Sequence, residues 1–252
     1  MKTITVRGIE IGAGAPKIIV PIVAATKTEL LEQAKVLAST KLHVVEWRVD
    51  FYEDAFQTQE VLTTLSAMRD ILEVPILFTF RTKKEGGEKE ISMEDYIALN
   101  RAVAQSGNAD LIDVEIFSGD QVVSDLISAA HAAGTLVVGS NHDFFATPSR
   151  ADIVSRLRKM QDMGADIPKI AVMPTCTEDV LTLLAASSEM QKQYADRPII
   201  TMSMSAKGVI SRLSGEVFGS SMTFGAVGRG SAPGQISVDA LSQVLDILHA
   251  VS

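Results

Sequence analysis

The stretch VVEWRVD, residues 44–50, puts Val45, Trp47 and Val49 on one face of an extended strand and Glu46, Arg48 and Asp50 on the other. A parallel strand covered by helices on both faces reads as a near-continuous apolar run. One apolar and one charged face fit a different setting, in which the apolar face lies under helices and the charged face points into the lumen of a barrel. LIDVEI (111–116) repeats the pattern, with Asp113 and Glu115 alternating with Ile112 and Val114. A purely structural barrel interior is packed with Val, Ile and Leu. Ionisable inward faces therefore predict a polar cavity or, on the structural alternative, a buried ion-pair network.

Outward from this stretch the same unit recurs. KIIVPIVA (17–24), PILFTFR (75–81), TLVVGSNHD (135–143), IPKIAVMP (167–174), PIITMSM (198–204) and SMTFGAV (221–227) complete a set of eight strand candidates. Amphipathic segments follow them, among them 26–40, 92–107, 149–164 and 237–252. Several open on Ser or Thr with an acid close behind and several end at Gly, as helix caps require. Eight βα units in 252 residues predict one α/β domain, a (β/α)8 barrel over residues 1–252 with no linker for a second domain. An open doubly wound sheet would usually carry a glycine fingerprint after its first strand, and PIVAATKTE (21–29) has none. The GAG at 12–14 precedes that strand and reads as a turn. Residues 3–12, TITVRGIEIG, alternate like a small hairpin, placed as a plug closing the bottom of the barrel.

Composition excludes several partners. A net charge of −8 with no Lys/Arg-rich run argues against nucleic acid. No apolar stretch reaches the ~20 residues of a membrane helix, and MKTITVRGIE lacks the apolar core of a signal peptide, so a cytoplasmic location is expected. The single cysteine, Cys176, can form no intramolecular disulfide, which fits a reducing compartment.

Within IPKIAVM (167–173), Lys169 alternates with Ile170 and Val172 and so falls on the inward face. An ammonium there costs several kcal/mol unless paired or neutralised. Burial lowers a lysine pKa, and a neutral amine attacks carbonyls to form a Schiff base. The bland alternative is a lysine snorkelling from a strand end. Arg81 and His142 fall at the C-terminal ends of their strands, where barrel active sites are built. His43, His131 and His249 precede a strand or lie in helices and are expected at the surface or in packing, which leaves His142 as the general acid/base. No His or Cys spacing suggests a metal site, and no cofactor is expected. Two loops, KKEGGEKE (83–90) and GRGSAPGQ (228–235), have the composition of flaps over the barrel mouth or of plain surface turns.

Together EWRVD (46–50), FTFRTKKEGGE (78–88), SNHDF (140–144), PKIAVMP (168–174), MSMS (202–205), GVISRLSGEVFGS (208–220) and SAPGQ (231–235) make the chain resemble, over essentially its whole length, type I 3-dehydroquinate dehydratase of the shikimate pathway. The resemblance implies a lyase that dehydrates 3-dehydroquinate, Lys169 forming the Schiff base and His142 shuttling protons. Glu85 would orient His142, and Arg212 would clamp the substrate carboxylate. Glu46, Arg48 and Arg81 would line the site, and Ser231 and Gln235 would belong to a closing loop. A homodimer is also implied. Pro21 stands where some members carry serine, and the GRG at 228–230 has no assignment. If Arg48, Arg81 and Arg212 surround Lys169, each disfavours its ammonium form, and together they would select an anion. Arg212 is expected near the start of a helix, whose dipole would help. A class I aldolase for a phosphorylated sugar and a non-catalytic metabolite-binding barrel are the competing readings.

Overall fold

Two short strands, β1 (Ile4–Val6) and β2 (Ile9–Ile11), pair antiparallel at the start of the chain. Eight parallel strands follow: β3 (Lys17–Ile22), β4 (Val44–Arg48), β5 (Ile76–Thr79), β6 (Leu111–Glu115), β7 (Leu136–Asp143), β8 (Ile167–Val172), β9 (Ile200–Ser203) and β10 (Met222–Ala226). The computed structural model describes residues 3–228 and 234–251. Neighbouring strands bond in the order β10, β3, β4 and so on to β9. The ring closes between β9 and β10 through a bridge of Ile199 with Ser220 and a 2.8 Å bond from Ser221 N–H to the Ile199 carbonyl. A two-residue strand, β11 (Ile236–Ser237), extends the β10 edge. The architecture is the expected (β/α)8 barrel with an N-terminal hairpin.

The helices begin where the capping signals lie. Thr26 and Glu29 form a reciprocal capping box on α1 (Lys27–Ala38). The next helices are α2 (Thr58–Arg69), α3 (Met93–Gln105), α4 (Asp120–Ala132), α5 (Arg150–Asp162) and α6 (Thr177–Glu189). Ser92, Ser149 and Ser237 cap α3, α5 and the last helix. After β9 the single expected helix is replaced by two short ones, α7 (Val209–Leu213) and α8 (Gly215–Phe218), before α9 (Val238–His249) closes the chain. The strand expected over 44–50 ends at Arg48, and Val49–Phe51 turn as a 3-10 helix.

Alternation along each strand sorts side chains into two cores. Val45, Trp47, Phe78, Ile112, Val114 and Ile170 face outward and pack under the helix layer with residues such as Leu30, Leu65 and Leu157. On the inward faces Val44, Leu77, Leu111, Val138, Ile167 and Ile200, near the strand starts, form an apolar bottom layer closed by Val6 and Ile11 of the hairpin. One step further along come Glu46, Thr79, Asp113, Ser140 and Lys169, all buried. The lumen is thus filled below and polar above, which fixes the chemistry at the C-terminal mouth.

Pro21 sits inside β3 without breaking the sheet. Ile18 N–H donates to His43 Nδ1 at 3.0 Å and its carbonyl accepts from His43 N–H, so even positions of β3 bond toward β4. Pro21 therefore faces the β10 side, where pairing ends at Ile19 with Phe224, and no ladder donor is lost.

Ile11 is fully buried at the barrel floor. Ile11→Ala should lower unfolding free energy by roughly 2 to 5 kcal/mol, the range for large-to-small core changes. Urea denaturation measures it, and a midpoint unchanged from the parent would show that the hairpin does not carry the floor.

Candidate active site

Lys169 occupies the third position of β8, is 3% exposed, and points into the lumen. Its Nζ lies 3.3 Å from Asp113 Oδ2 and 3.7 Å from Glu46 Oε1, with the Phe224 ring centroid 4.9 Å away. The immediate charged contacts of the amine are thus carboxylates. The expected ring of guanidinium groups is only partly realised, because the arginines of this cavity are themselves engaged. Arg48 donates from Nε and Nη2 to both oxygens of Asp50, each at 2.8 Å. Arg81, two residues past β5, pairs with Asp113 at 2.8 Å and Glu115 at 2.9 Å and lies 3.6 Å from Glu85. Burial alone would depress its pKa, yet these three carboxylates outweigh that and raise it.

His142, next to last in β7, has its Nδ1 3.0 Å from Glu85 Oε2, and the same oxygen accepts the His142 backbone N–H at 2.9 Å. The other Glu85 oxygen accepts from Asn141 Nδ2 at 3.2 Å. Burial, then the nearby charge of Glu115, pushes the Glu85 carboxyl up to about 7, against the pull of Arg81. Burial, then Arg81, Lys169 and Arg48, holds the His142 pKa well below 6.5. At neutral pH the pair is a neutral imidazole beside a carboxyl group poised between its two forms. Keeping Glu85 ionised costs stability, because its folded pKa exceeds the ordinary 4.5: the cost is absent below 4.5 and complete above about 7.

The loop expected as a flap over 83–90 is a pinned turn. Thr82 bridges Lys89 across a 3-10 turn at Lys83–Glu85. Glu115 takes Thr82 N–H and Oγ1 at 2.9 and 2.7 Å, Asp50 accepts Glu88 N–H at 3.1 Å, and Lys89 Nζ reaches the Asp50 and Tyr52 carbonyls. The two glycines serve close approach. Gly86 has φ +84° with the Phe144 ring against it, and a Cβ on Gly87 would overlap the Arg81 carbonyl oxygen.

One cavity at the mouth is lined by Glu46, Arg48, Arg81, Glu85, His142, Lys169 and Gln235, together with Gly86, Phe144, Ala171, Met202, Met204 and Phe224. Seven of the nine residues singled out from sequence therefore meet in one place. Arg212 is not among the lining residues; it is buried, with Nη1 3.8 Å from Sδ of Met202, which does line the cavity, and burial lowers its pKa to about 10. It sits in the last turn of the five-residue α7 rather than near a helix start, so the helix dipole lends no help to an anion there. Ser231 falls outside the described residues. Sequence reading assigned no role to Asp50, although its place on the charged face was visible. It treated Asp113 as cavity lining, whereas Asp113 contacts the lysine directly and accepts a 2.5 Å bond from Ser140. The other histidines serve packing and pairing, His131 with Asp166 at 2.8 Å and His249 with Glu216 at 2.7 Å. Among the described residues no group of His, Cys, Asp or Glu could hold a metal ion, and no helix is long and apolar enough to cross a membrane.

A buried lumenal lysine beside a carboxylate-backed histidine, both at the C-terminal mouth, defines a (β/α)8-barrel enzyme site. Comparison with known proteins is specific about which. The family model for type I 3-dehydroquinase matches residues 18–252. Similar proteins include the 3-dehydroquinate dehydratases of Shigella dysenteriae serotype 1 and Escherichia coli K12, each 56% identical over 250 residues and 99% of both chains. Among solved structures, the type I enzyme of Clostridium difficile, with covalently modified comenic acid, is 52% identical with a TM-score of 0.97 over 100% of this chain and 99% of that one. The Geobacillus kaustophilus enzyme is 37% identical with a TM-score of 0.96, covering 100% and 98%. The chain belongs to the type I 3-dehydroquinase family, shikimate-pathway lyases that dehydrate 3-dehydroquinate.

Gly87→Ala tests whether the turn places Glu85. Moving a catalytic group by about 1 Å can cost 10²-fold, and a loss of about that size in kcat, with the far-ultraviolet circular dichroism unchanged, is the expected outcome. Full turnover would mean that the turn adapts without moving Glu85.

Proposed function

We propose that this chain carries out the family's dehydration through an imine on Lys169, with His142 moving the protons. The observation that carries the reading is the 3.3 Å approach of Lys169 Nζ to Asp113 inside a cavity that also presents His142. The amine, once deprotonated, adds to the substrate ketone and loses water to give a protonated imine. That cation withdraws electrons more strongly than the ketone did, and Asp113 and Glu46 are placed to balance its charge. His142, neutral, takes the proton from the carbon beside the imine. The resulting enamine expels the hydroxyl two carbons from the former ketone, His142 returns the proton to the leaving oxygen, and water then hydrolyses the imine to free the lysine. Glu85 holds the Nδ1–H of the imidazole and steadies its charged form, which leaves Nε2 as the working base. Arg48 and Arg81 shape the cavity while already neutralised by Asp50, Asp113 and Glu115. Family likeness supports Arg212, whose Nη1 lies 3.8 Å from the cavity-lining Met202, as the substrate carboxylate's partner, with Ser231 and Gln235 belonging to the closing segment.

Nothing on the lumen favours a sugar-phosphate aldolase: Lys169 is the sole lysine lining this cavity among the described residues. A homodimer, supported by family likeness, and a cytoplasmic setting, supported by one exposed free cysteine, complete the proposal.

Borohydride reduction in the presence of 3-dehydroquinate should add one ligand-sized mass at Lys169, read by peptide mass spectrometry. An adduct elsewhere, or none, rejects the imine and favours an aldolase of other specificity or a non-catalytic binder. His142→Ala should lose about 10²-fold or more in kcat, as for removal of a general acid/base, while the trapped adduct persists.

The pH dependence has a definite sign. Above about pH 7 Glu85 is ionised and accepts the imidazole N–H; as pH falls through 7 it takes up a proton and that support is lost. kcat/KM should therefore fall toward acid with a midpoint near 7, read as a property of the pair. Glu85→Gln should remove or displace this limb and cost less in kcat than His142→Ala. A limb unmoved by Glu85→Gln would take Glu85 out of the mechanism.

A further inference from the structure

Asn141 precedes the histidine on β7 and, by alternation, points the opposite way, out of the lumen. Such a position needs no polar side chain, yet Asn141 is buried and bonded at both ends of its amide. Its Nδ2 donates to Glu85 Oε1 at 3.2 Å, and its Oδ1 accepts from Arg156 Nη1 at 2.8 Å. Arg156 lies on α5 with its side chain 28% exposed, 4.0 Å from Asp143 and 5.6 Å from the Phe117 ring centroid. A continuous line of hydrogen bonds thus runs from a helix on the outer layer to the base in the lumen. None of the mechanism derived above uses its outer two members.

We propose that Arg156 and Asn141 form a positioning arm that fixes which end of the Asn141 amide faces Glu85, and so sets how readily the Glu85–His142 pair takes up a proton. The inference rests on the reading of Glu85 given above and extends it. A guanidinium has donors only, so it can hold the amide only by its oxygen. With the oxygen held outward, the amide N–H2 must face Glu85, and an N–H donor bonds the ionised carboxylate in preference to the protonated acid. Released from Arg156, the amide can reverse and offer its oxygen, which bonds only a protonated Glu85. The other charged groups facing the pair are Arg81 beyond β5, Asp113 and Glu115 on β6, and Lys169 and Arg48 across the lumen. Burial and those two acids favour protonation of Glu85, Arg81 and the Asn141 bond oppose it, and loss of that hydrogen bond therefore favours the proton further. Burial of Glu85 and the lowering contribution of Asn141 to its titration agree with this arrangement.

The test is the pH profile of kcat/KM, which reports the free enzyme, for Arg156→Met, Arg156→Lys and Asn141→Leu, each alone and combined with Glu85→Gln. Arg156→Met should raise the midpoint of the acid limb by roughly half to one pH unit, the size of one hydrogen bond, with the alkaline plateau little changed. Arg156→Lys, which keeps a donor, should leave the midpoint close to that of the parent, and Asn141→Leu should raise it at least as far as Arg156→Met. On the Glu85→Gln background none of the three changes should move the profile. A uniform loss at every pH, or an unmoved midpoint in a protein whose limb still depends on Glu85, would overturn the arm and leave the Glu85 reading intact. A limb indifferent to Glu85→Gln would overturn both. Arg156 is partly exposed, so its variants keep the test available should Asn141→Leu fold poorly.

Discussion

The contact of Arg81 with Asp113, Glu115 and Glu85 is what the rest of the site depends on. These groups are all buried, and a buried carboxylate is tolerated only when paired and hydrogen-bonded. One guanidinium serves three acids from two other segments of the fold, β6 and the turn after β5, and thereby fixes how those segments meet. Lys169 then shares Asp113 with Arg81, so the amine is held at one point in the lumen. His142 is placed through the third acid, Glu85. Remove the guanidinium and each of these relations loses its common member.

Burial and charge balance together explain the poise of the histidine pair. Glu46, Asp50, Glu85, Asp113 and Glu115 are buried around this lumen with Arg48, Arg81 and Lys169. Arg48 is absorbed by Asp50, and the remaining two cations face more carboxylates than they can neutralise. Burial first, and then the uncompensated charge of Glu115, raise Glu85 to about 7. Burial first, and then the cations that satisfy the other acids, depress His142. One buried, charge-dense arrangement thus brings the acid toward neutrality and keeps the imidazole in its neutral form at neutral pH.

The fold was legible because strand periodicity carries it. Glu46, Trp47 and Arg48 announced two faces, and the eight repeats with their Ser and Thr caps left one architecture. The divided seventh helix was not legible, since eight βα units call for one helix after each strand; here the chain turns at Ser214, and a Cβ on Gly215 would come within 2.5 Å of the Ser220 carbonyl oxygen. The site's inward members were legible for the same reason as the strands. Partner choice was not. Alternation says that Arg48 and Arg81 point inward, but it cannot say that Asp50 and Asp113 take up their charge, because the first depends on the turn that follows β4 and the second on a distance across strands. The paired glycines of KEGG looked like a flexible flap, and only the carbonyl of Arg81 pressing on Gly87 shows that they permit contact rather than motion. Asn141 was hidden by its neighbour, since its outward position carried no chemical signal until Arg156 was seen beside it.

The acidic network is also local in the chain. Arg48 finds Asp50 two residues on, and every carboxylate paired with Arg81 lies between positions 85 and 115. A chain emerging from the ribosome N-terminus first has therefore made both guanidinium groups and all four of these carboxylates before β7 exists. The half-built barrel can settle most of its interior charge with what it already holds. Lys169 and the seam at Ile199 and Ser220 arrive later, into a lumen whose charges are already largely committed, so the reactive amine is among the last parts to acquire its surroundings.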